Sequence, residues 1–361
     1  MDTPPSPSAL PGYWANTASK CAKKNSAPPS PLSNPLVKKI MEDSLTIANY
    51  AAAERGLGLP PSRPSSLVVG CLQFTPVTSE TLASIAIADS LLSKHSPSTL
   101  SSLDVLVLPE MAFSGYNFKD RSCVPLETST HQPSVDWAKR TAKRLSCVVC
   151  CGYPRLDEDS LNAYNSMVVV GADGSVCAIY DKHHLFATDK TWATPGTAFH
   201  PLLSSIPGLP SVTVALGICM DINPHEFEAP FDAYELATHS KTADLLLFSS
   251  NWCSSHPDDS DDTRFKSLAP EHHSAAEKEK ILETVNYWCS RLKPLLRSPR
   301  GCHSVCADRT GTEPASLLGT GSKGDVQYVG CSCVLDLKRV AMVANLDMHE
   351  QGLLVTKVNL H

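Results

Sequence analysis

The chain has 361 residues, 42% of them hydrophobic, and a formal net charge of −6. That length and apolar content can bury one large core and fit one or two domains. The acidic balance argues against a nucleic-acid binder, because neutralising phosphates takes clustered Lys and Arg, and no apolar run reaches the roughly 18 residues of a membrane span.

Residues 1 to about 65 hold 11 of the 28 prolines, with many Ser and Ala. Such a composition cannot build a regular core, so a disordered extension is expected there. Lys20, Lys23, Lys24, Lys38 and Lys39 make its start basic, but arginine is absent, which leaves an organelle-targeting peptide as one reading only. The charged-then-apolar pattern of a secretory signal is missing. A cytoplasmic location is therefore expected, with nucleus or mitochondrion as alternatives. Val37 to Arg55 fits a short helix.

From Leu67 the pattern changes to a folded domain over residues 66–361. Leu67 to Phe74 reads as a buried strand. Ser79 is placed to cap a helix running to about Lys94, with Leu82, Ile85 and Leu92 at helical spacing. Asp104 to Leu108 is the next strand, and Val135, Ala138, Ala142 and Leu145 mark an amphipathic helix. Cys147 to Cys151 is an apolar strand. Tyr164 to Val170 and Ser175 to Tyr180 flank Asp173-Gly174, a hairpin signal. Val212 to Leu216 and Asp244 to Phe248 are strands. Residues 254 to 274 are polar and acidic and read as an insertion loop. Ile281 to Leu296 fits a helix, and three or four strands follow from Ser304. This alternation predicts a layered α/β fold with mixed sheets and no internal repeat.

Fourteen cysteines invite two readings, disulfides or reduced thiols. Many lie in apolar strand-like runs: Cys71, Cys147, Cys150, Cys151, Cys177, Cys306, Cys331 and Cys333. Reduced thiols acting as small hydrophobes fit best. Cys147 and Cys150 have CxxC spacing but no matched second pair, which disfavours structural zinc.

Three apolar strands each deliver a reactive side chain at or just past their ends. Glu110 follows Val105 to Pro109, Lys182 follows Tyr180, and Cys219 follows Val214 to Ile218. Strand ends are where layered α/β folds assemble sites. Singly, each has a plain alternative: a solvated turn carboxylate, a hairpin-exit lysine, one more buried thiol. Their order and surroundings favour a site.

Leu108-Pro109-Glu110-Met111, Tyr180-Asp181-Lys182 and Gly217-Ile218-Cys219-Met220-Asp221 resemble the Glu, Lys and Cys motifs of the nitrilase superfamily. Asp308-Arg309-Thr310-Gly311 and Gly330-Cys331-Ser332 are similar to its C-terminal motifs. Within it, the chain looks most like the fungal protein N-terminal amidases. The segments that carry this include Tyr116-Asn117-Phe118, Cys151 to Pro154, Tyr164-Asn165-Ser166, Cys219 to Pro224, Phe227 to Phe231 and Asn286-Tyr287-Trp288. The resemblance implies an αββα sandwich, monomeric or dimeric. It also implies deamidation of N-terminal Asn and Gln, whose products are arginylated and read as signals for ubiquitin-dependent degradation. Cys219 would be the nucleophile and Glu110 the proton carrier. Lys182 would stabilise the oxyanion, helped by the Met220 backbone N–H. No metal or organic cofactor is required.

A free α-ammonium needs a carboxylate. Asp308, Asp189 and Glu228 are candidates, Arg309 could hold the main chain, and Trp252 lines the pocket or the core. Asp221 is expected to satisfy loop N–H groups. The chain departs from the superfamily pattern in two ways. His183 and His184 follow the lysine, and no glutamate lies between Lys182 and Cys219, where Asp189 is the only carboxylate. The rival readings are an ω-amidase or carbamoylase acting on a small metabolite, and a non-catalytic binding module.

Overall fold

The computed structural model describes residues 63–253, 270–298, 300–314 and 325–361. The proline-rich extension up to residue 62, its expected helix and most of the acidic insert lie outside the described residues. Pro64–His361 forms one compact unit.

Two six-stranded sheets make its centre. In the first, the order is β14 (Gly352–Asn359), β1 (Ser66–Gln73), β2 (Val105–Val107), β3 (Val148–Leu156), β4 (Ala163–Val170) and β5 (Val176–Asp181). In the second, it is β13 (Ala341–Asn345), β12 (Cys333–Asp336), β9 (His303–Asp308), β8 (Leu245–Ser250), β7 (Leu209–Ile218) and β6 (Leu203–Ile206). Strands β1, β2 and β3 run parallel, as do β7, β8 and β9, and antiparallel strands flank both trios. A separate short ribbon pairs β10 (Thr312–Pro314) with β11 (Asp325–Gln327). Inward side chains of both sheets, such as Val69, Val107, Val214, Leu247 and Val305, share one core.

Helices α1 (Thr81–Ser93), α2 (Pro97–Ser101) and α3 (Pro133–Leu145) belong to the first half of the chain. Helices α4 (Glu235–His239) and α5 (Pro270–Arg291) belong to the second. The outer face of the first sheet packs on α1 and α3, and that of the second on α4 and α5. The result is the expected αββα sandwich. Strands buried on both faces read as continuous apolar runs, which is why Val105–Val107 shows no alternation.

Helix α3 begins with Pro133 in its first turn and ends on Ser146 in the left-handed region (φ 54°). Its Val135, Ala138, Ala142 and Leu145 are buried, and a fully buried Val or Leu contributes roughly 1.5–3 kcal/mol. The Trp137 indole N–H donates to Asp89 across to α1. Gly174, at φ 81°, makes the β4–β5 turn that the sequence marked.

Several expectations need correcting. Ser79 does not cap α1; Glu80 precedes the helix without a side-chain cap, and Ser84 instead bonds Val77. Leu82 is 73% exposed, and the buried face runs through Ile85, Ala88, Leu91 and Leu92. Helix α5 starts at Pro270, so residues 270–274 are helical rather than loop, and it ends at Arg291 before a 3-10 turn at Lys293–Leu295. Among the described residues six strands, not three or four, lie between His303 and the last residue. The extra ones are the short ribbon, three residues per strand, and a largely exposed edge strand.

Candidate active site

The three sequence-selected strand ends converge. Glu110 follows β2, Lys182 follows β5, and Cys219 opens a short 3-10 turn directly after β7. Glu110 and Lys182 are 1% and 0% exposed, and Cys219 is 8% exposed. Cys219 has φ 39°, in the left-handed region, and Met111 beside Glu110 has φ 49°. Such strain in non-glycine residues clusters at functional sites, and here it turns the chain sharply at two of the three groups. Gly152 of β3 lets the Glu110 turn approach. A Cβ there would sit 2.6 Å from Met111 N and Pro109 O and 2.7 Å from Glu110 Cα.

Lys182 Nζ donates to Glu110 Oε1 (2.6 Å) and to Asp189 Oδ2 (2.6 Å). Asn165 Nδ2, from β4, donates to Glu110 Oε1 (2.7 Å) and Asp189 Oδ1 (3.0 Å), bridging the two carboxylates. The Asn251 backbone N–H, just past β8, donates to Glu110 Oε2 (3.0 Å). Tyr116 OH and the Phe186 N–H also donate to Asp189 Oδ2. Asp189 is thus a fully engaged fourth member of the buried group. It is not open to a substrate ammonium.

The electrostatics follow from this geometry. Burial raises Glu110 above the ordinary carboxylate range; Lys182 pulls it down and Asp189 pushes it up. Burial works against the Lys182 ammonium, but Asp189 and Glu110 outweigh it and hold it above its usual range. Burial and Glu110 raise the Cys219 thiol, while Lys182, the Asn251 N–H and the Ser250 hydroxyl act the other way. The resting cysteine is therefore a thiol, with a charged ammonium and a carboxylate raised above its ordinary range beside it.

Asp221 ties the Lys182 and Cys219 loops together. Its Oδ1 accepts from the His183 (3.1 Å) and His184 (2.8 Å) backbone N–H groups. Its Oδ2 accepts from Tyr180 OH (2.7 Å) and the Ile218 N–H (2.8 Å). This is the loop-satisfying role expected of it. The rings of His183 and His184 are engaged through Nδ1 with the Gly196 and Asn223 carbonyls.

The remaining candidates divide. Met220 is buried next to the cysteine, and its Sδ accepts from Asn223 Nδ2 (3.2 Å). Trp252 is half-buried, edge-on to Trp288 (5.6 Å between ring centroids), and so belongs partly to the core. Glu228 is exposed and stands outside the buried group. Asp308 is 0% exposed; its Oδ1 accepts from the Trp252 and Arg309 backbone N–H groups at 2.9 and 3.0 Å. Arg309 pairs through Nη1 with Glu313 (2.8 Å) and stacks over Tyr328. Strand register sets Ser250 beside Asp308, and Ser249 beside Ile218, so the chain turns into Cys219 one residue past the position paired with Ser249.

Asn165, Asn251 and Tyr116 received no role from the sequence. The available signal was a buried amide inside the apolar strand Ala163–Val170.

Thirteen cysteines are unpaired among the described residues, and Cys71, Cys147, Cys150, Cys151, Cys306, Cys331 and Cys333 are at most 1% exposed, as small hydrophobes are. Among the described residues no helix is long and apolar enough to cross a membrane.

The sequence profile of the carbon-nitrogen hydrolase family matches residues 69–274. The protein N-terminal amidase of Schizosaccharomyces pombe is 30% identical over 308 residues, covering 79% of this chain and 97% of that protein. The protein N-terminal amidase of Saccharomyces cerevisiae is 29% identical over 209 residues, 53% of this chain and 46% of that one. A crystal structure of N-terminal amidase with an Asn-Glu-Ala peptide superposes with a TM-score of 0.65 at 19% identity, covering 82% of this chain and 98% of that chain. The carbon-nitrogen hydrolase from Helicobacter pylori G27 superposes at 0.57 with 17% identity, over 81% and 89% of the two chains, so both structures share the fold. The chain therefore belongs to the carbon-nitrogen hydrolase family, alongside the protein N-terminal amidases.

Proposed function

We propose that the protein hydrolyses the side-chain amide of an N-terminal Asn or Gln, releasing ammonia and leaving Asp or Glu. The observation that carries the substrate reading is a set of buried polar atoms without hydrogen-bond partners. They are Asp308 Oδ2, Arg309 Nε and Nη2, and both side-chain polar atoms of Asn251. Buried polar atoms are normally satisfied, so a cluster of orphans beside a reactive thiol points to a polar ligand. An N-terminal residue offers an ammonium, a main-chain carbonyl and a side-chain amide on a short aliphatic stem. Asp308 takes the ammonium in this reading, since Asp189 is occupied by Lys182 and Glu228 is exposed. Burial keeps the Asp308 carboxyl well above the ordinary range, and the Trp252 N–H, the Ser250 hydroxyl and the Arg309 N–H only partly oppose it.

The chemistry runs in two halves. Glu110 takes the Cys219 proton as sulfur attacks the amide carbon. Lys182 and the Met220 N–H hold the oxyanion, and the proton passes to departing ammonia, leaving a thioester. Glu110 then takes a proton from water; hydroxide displaces sulfur, and the thiol is restored. Asp189 and Asn165 position Lys182 and Glu110 throughout.

Mass spectrometry of Asn- and Gln-initiated peptides tests the reading, beside N-acetylated peptides, free glutamine and small amides. Deamidation at residue one only, abolished by N-acetylation and by Cys219→Ala, is expected. Ammonia from the small metabolites alone would sink the substrate reading. Asp308→Asn is expected to raise KM for peptides far more than it lowers kcat; the reverse pattern would remove Asp308 from recognition.

A further inference from the structure

A second cluster of donor atoms lies at the opposite end of β9 from Asp308. His303 opens the strand, Asp336 closes β12, and His361 follows β14. Five residues of extended chain separate His303 from Asp308, roughly 17 Å. One donor atom from each of His303, Asp336 and His361 lies within 4.8 Å of the others. His303 and Asp336 are each 2% exposed. Strands β9 and β12 belong to one sheet and β14 to the other, so the cluster sits at the seam of the sandwich.

The His303 and His361 rings stack, with centroids 5.4 Å apart, and both face Asp336 at the outer edge of hydrogen-bonding distance or beyond. His303 Nε2 stands 3.7 Å from Asp336 Oδ2, too far for a hydrogen bond. His361 Nε2 is 3.5 Å from Asp336 Oδ1, yet it is a buried atom that makes no hydrogen bond. Two ligands of one tetrahedral zinc ion, each about 2.1 Å from the metal, stand about 3.4 Å apart. The two imidazole-to-carboxylate spacings lie within a few tenths of an ångström of that value, each to a different Asp336 oxygen, and one ligand atom from each of the three residues lies within 4.8 Å of the others. The His361 ring also has a built seat. Gly301 has φ 73°, and a Cβ there would meet His361 Cδ2 at 2.4 Å.

The Arg339 backbone N–H donates to Asp336 Oδ1 (2.9 Å). The Arg339 guanidinium also reaches Asp336 Oδ2 (3.2 Å) from a 64% exposed position. A carboxylate has about four acceptor sites, so the backbone N–H, this side chain and an ion can share it.

We propose that His303, Asp336 and His361 bind one zinc-like divalent transition-metal ion, which clips the segment after β14 onto the second sheet. Two imidazoles and one carboxylate suit zinc and its neighbours rather than calcium or magnesium, which take oxygen ligands. A water would complete the tetrahedron. The site lies apart from Cys219 and does not enter its chemistry.

Cobalt(II) titration of the metal-stripped full chain tests this. Cobalt reports its ligands spectroscopically, which matters in a chain with fourteen cysteines. The expected result is one equivalent with tetrahedral d–d absorption and no thiolate charge-transfer band. His361→Ala, at the rim of the cluster, and Asp336→Asn should each abolish it. Zinc should raise the Tm of the unaltered protein and leave His361→Ala unmoved. No cobalt binding, or a thiolate band that persists in His361→Ala, would overturn the proposal. The spectrum of the unaltered protein decides the ligand type even if a variant fails to fold.

Discussion

Replacing Asp189 by Asn tests the carboxylate pair around Lys182 most directly. The variant keeps the shape and an acceptor oxygen but removes one charge 2.6 Å from Lys182 Nζ. At an effective dielectric constant of about 20, that gross attraction is about 6 kcal/mol. Lys182 keeps Glu110 as a partner, and the Asn oxygen still accepts. The net loss therefore falls toward the low end of the usual cost of breaking a buried pair, about 3 kcal/mol. In the proposed mechanism Lys182 then loses the fixed position from which it would meet the oxyanion. We expect kcat to fall on the order of 10²–10³-fold, with KM little changed. The pH profile should move as well. Asp189 pushes the Glu110 carboxyl upward, so its removal lets Glu110 ionise at lower pH. The acid limb of kcat/KM should therefore shift to lower pH while the plateau drops. Asp189→Ala should cost further stability, because it leaves the Tyr116 hydroxyl and the Phe186 N–H without their acceptor. An Asp189→Asn enzyme with unchanged kcat and an unmoved acid limb would refute the reasoning.

Gly152→Ala forces a Cβ to within 2.6 Å of the Met111 N and Pro109 O atoms, so the Glu110 turn must shift. Activity should drop on the order of 10²-fold for about 1 Å of displacement, with a Tm loss equivalent to about 1–3 kcal/mol; full activity would show that the turn is pliable. Glu127, buried and hydrogen-bonded by Ser134, is raised to about 7, mainly by burial. Between its ordinary value and about 7 the folded chain holds more protons than the unfolded one, so stability falls as pH rises through that window, by roughly 3 kcal/mol. Urea unfolding of Glu127→Gln should show this slope removed, and an unchanged slope would assign it elsewhere. Asp221→Ala leaves four donors without their acceptor, at about 1–3 kcal/mol each for those fully buried. Its soluble yield and Tm should collapse before any kinetic effect can be read; a stable, active variant would show that the loops hold without it.

The parts legible in the sequence were those where one local rule dominates. Doubly buried strands such as Val105–Val107 read as apolar runs, and α3 announced itself through Val135, Ala138, Ala142 and Leu145. Reactive residues stood out because each ends such a run. The rest depends on tertiary partners. Leu82 keeps helical spacing but faces solvent, since the packing stripe on α1 is rotated toward Ala88 and Leu91. Asn165 lies in a strand whose neighbours are buried, so only the structure reveals that its amide bridges Glu110 and Asp189. His303, Asp336 and His361 are far apart in sequence, and nothing local marks them as a group.

The missing glutamate is the instructive case. A carboxylate beside Lys182 must be held rigidly, or its charge would be paid for in disorder rather than used for positioning. Asp189 has a shorter side chain than glutamate, and the backbone compensates. It opens the 3-10 turn Asp189–Thr191 only seven positions after Lys182, with the Phe186 N–H donating to its Oδ2. Tyr116 and Asn165 fix the remaining lone pairs. The requirement is thus a place and a charge, not a residue type at a fixed spacing. A sequence pattern records residue type and spacing, whereas Asp189 shows itself as the second carboxylate on Lys182, beside Glu110, only once the turn is seen.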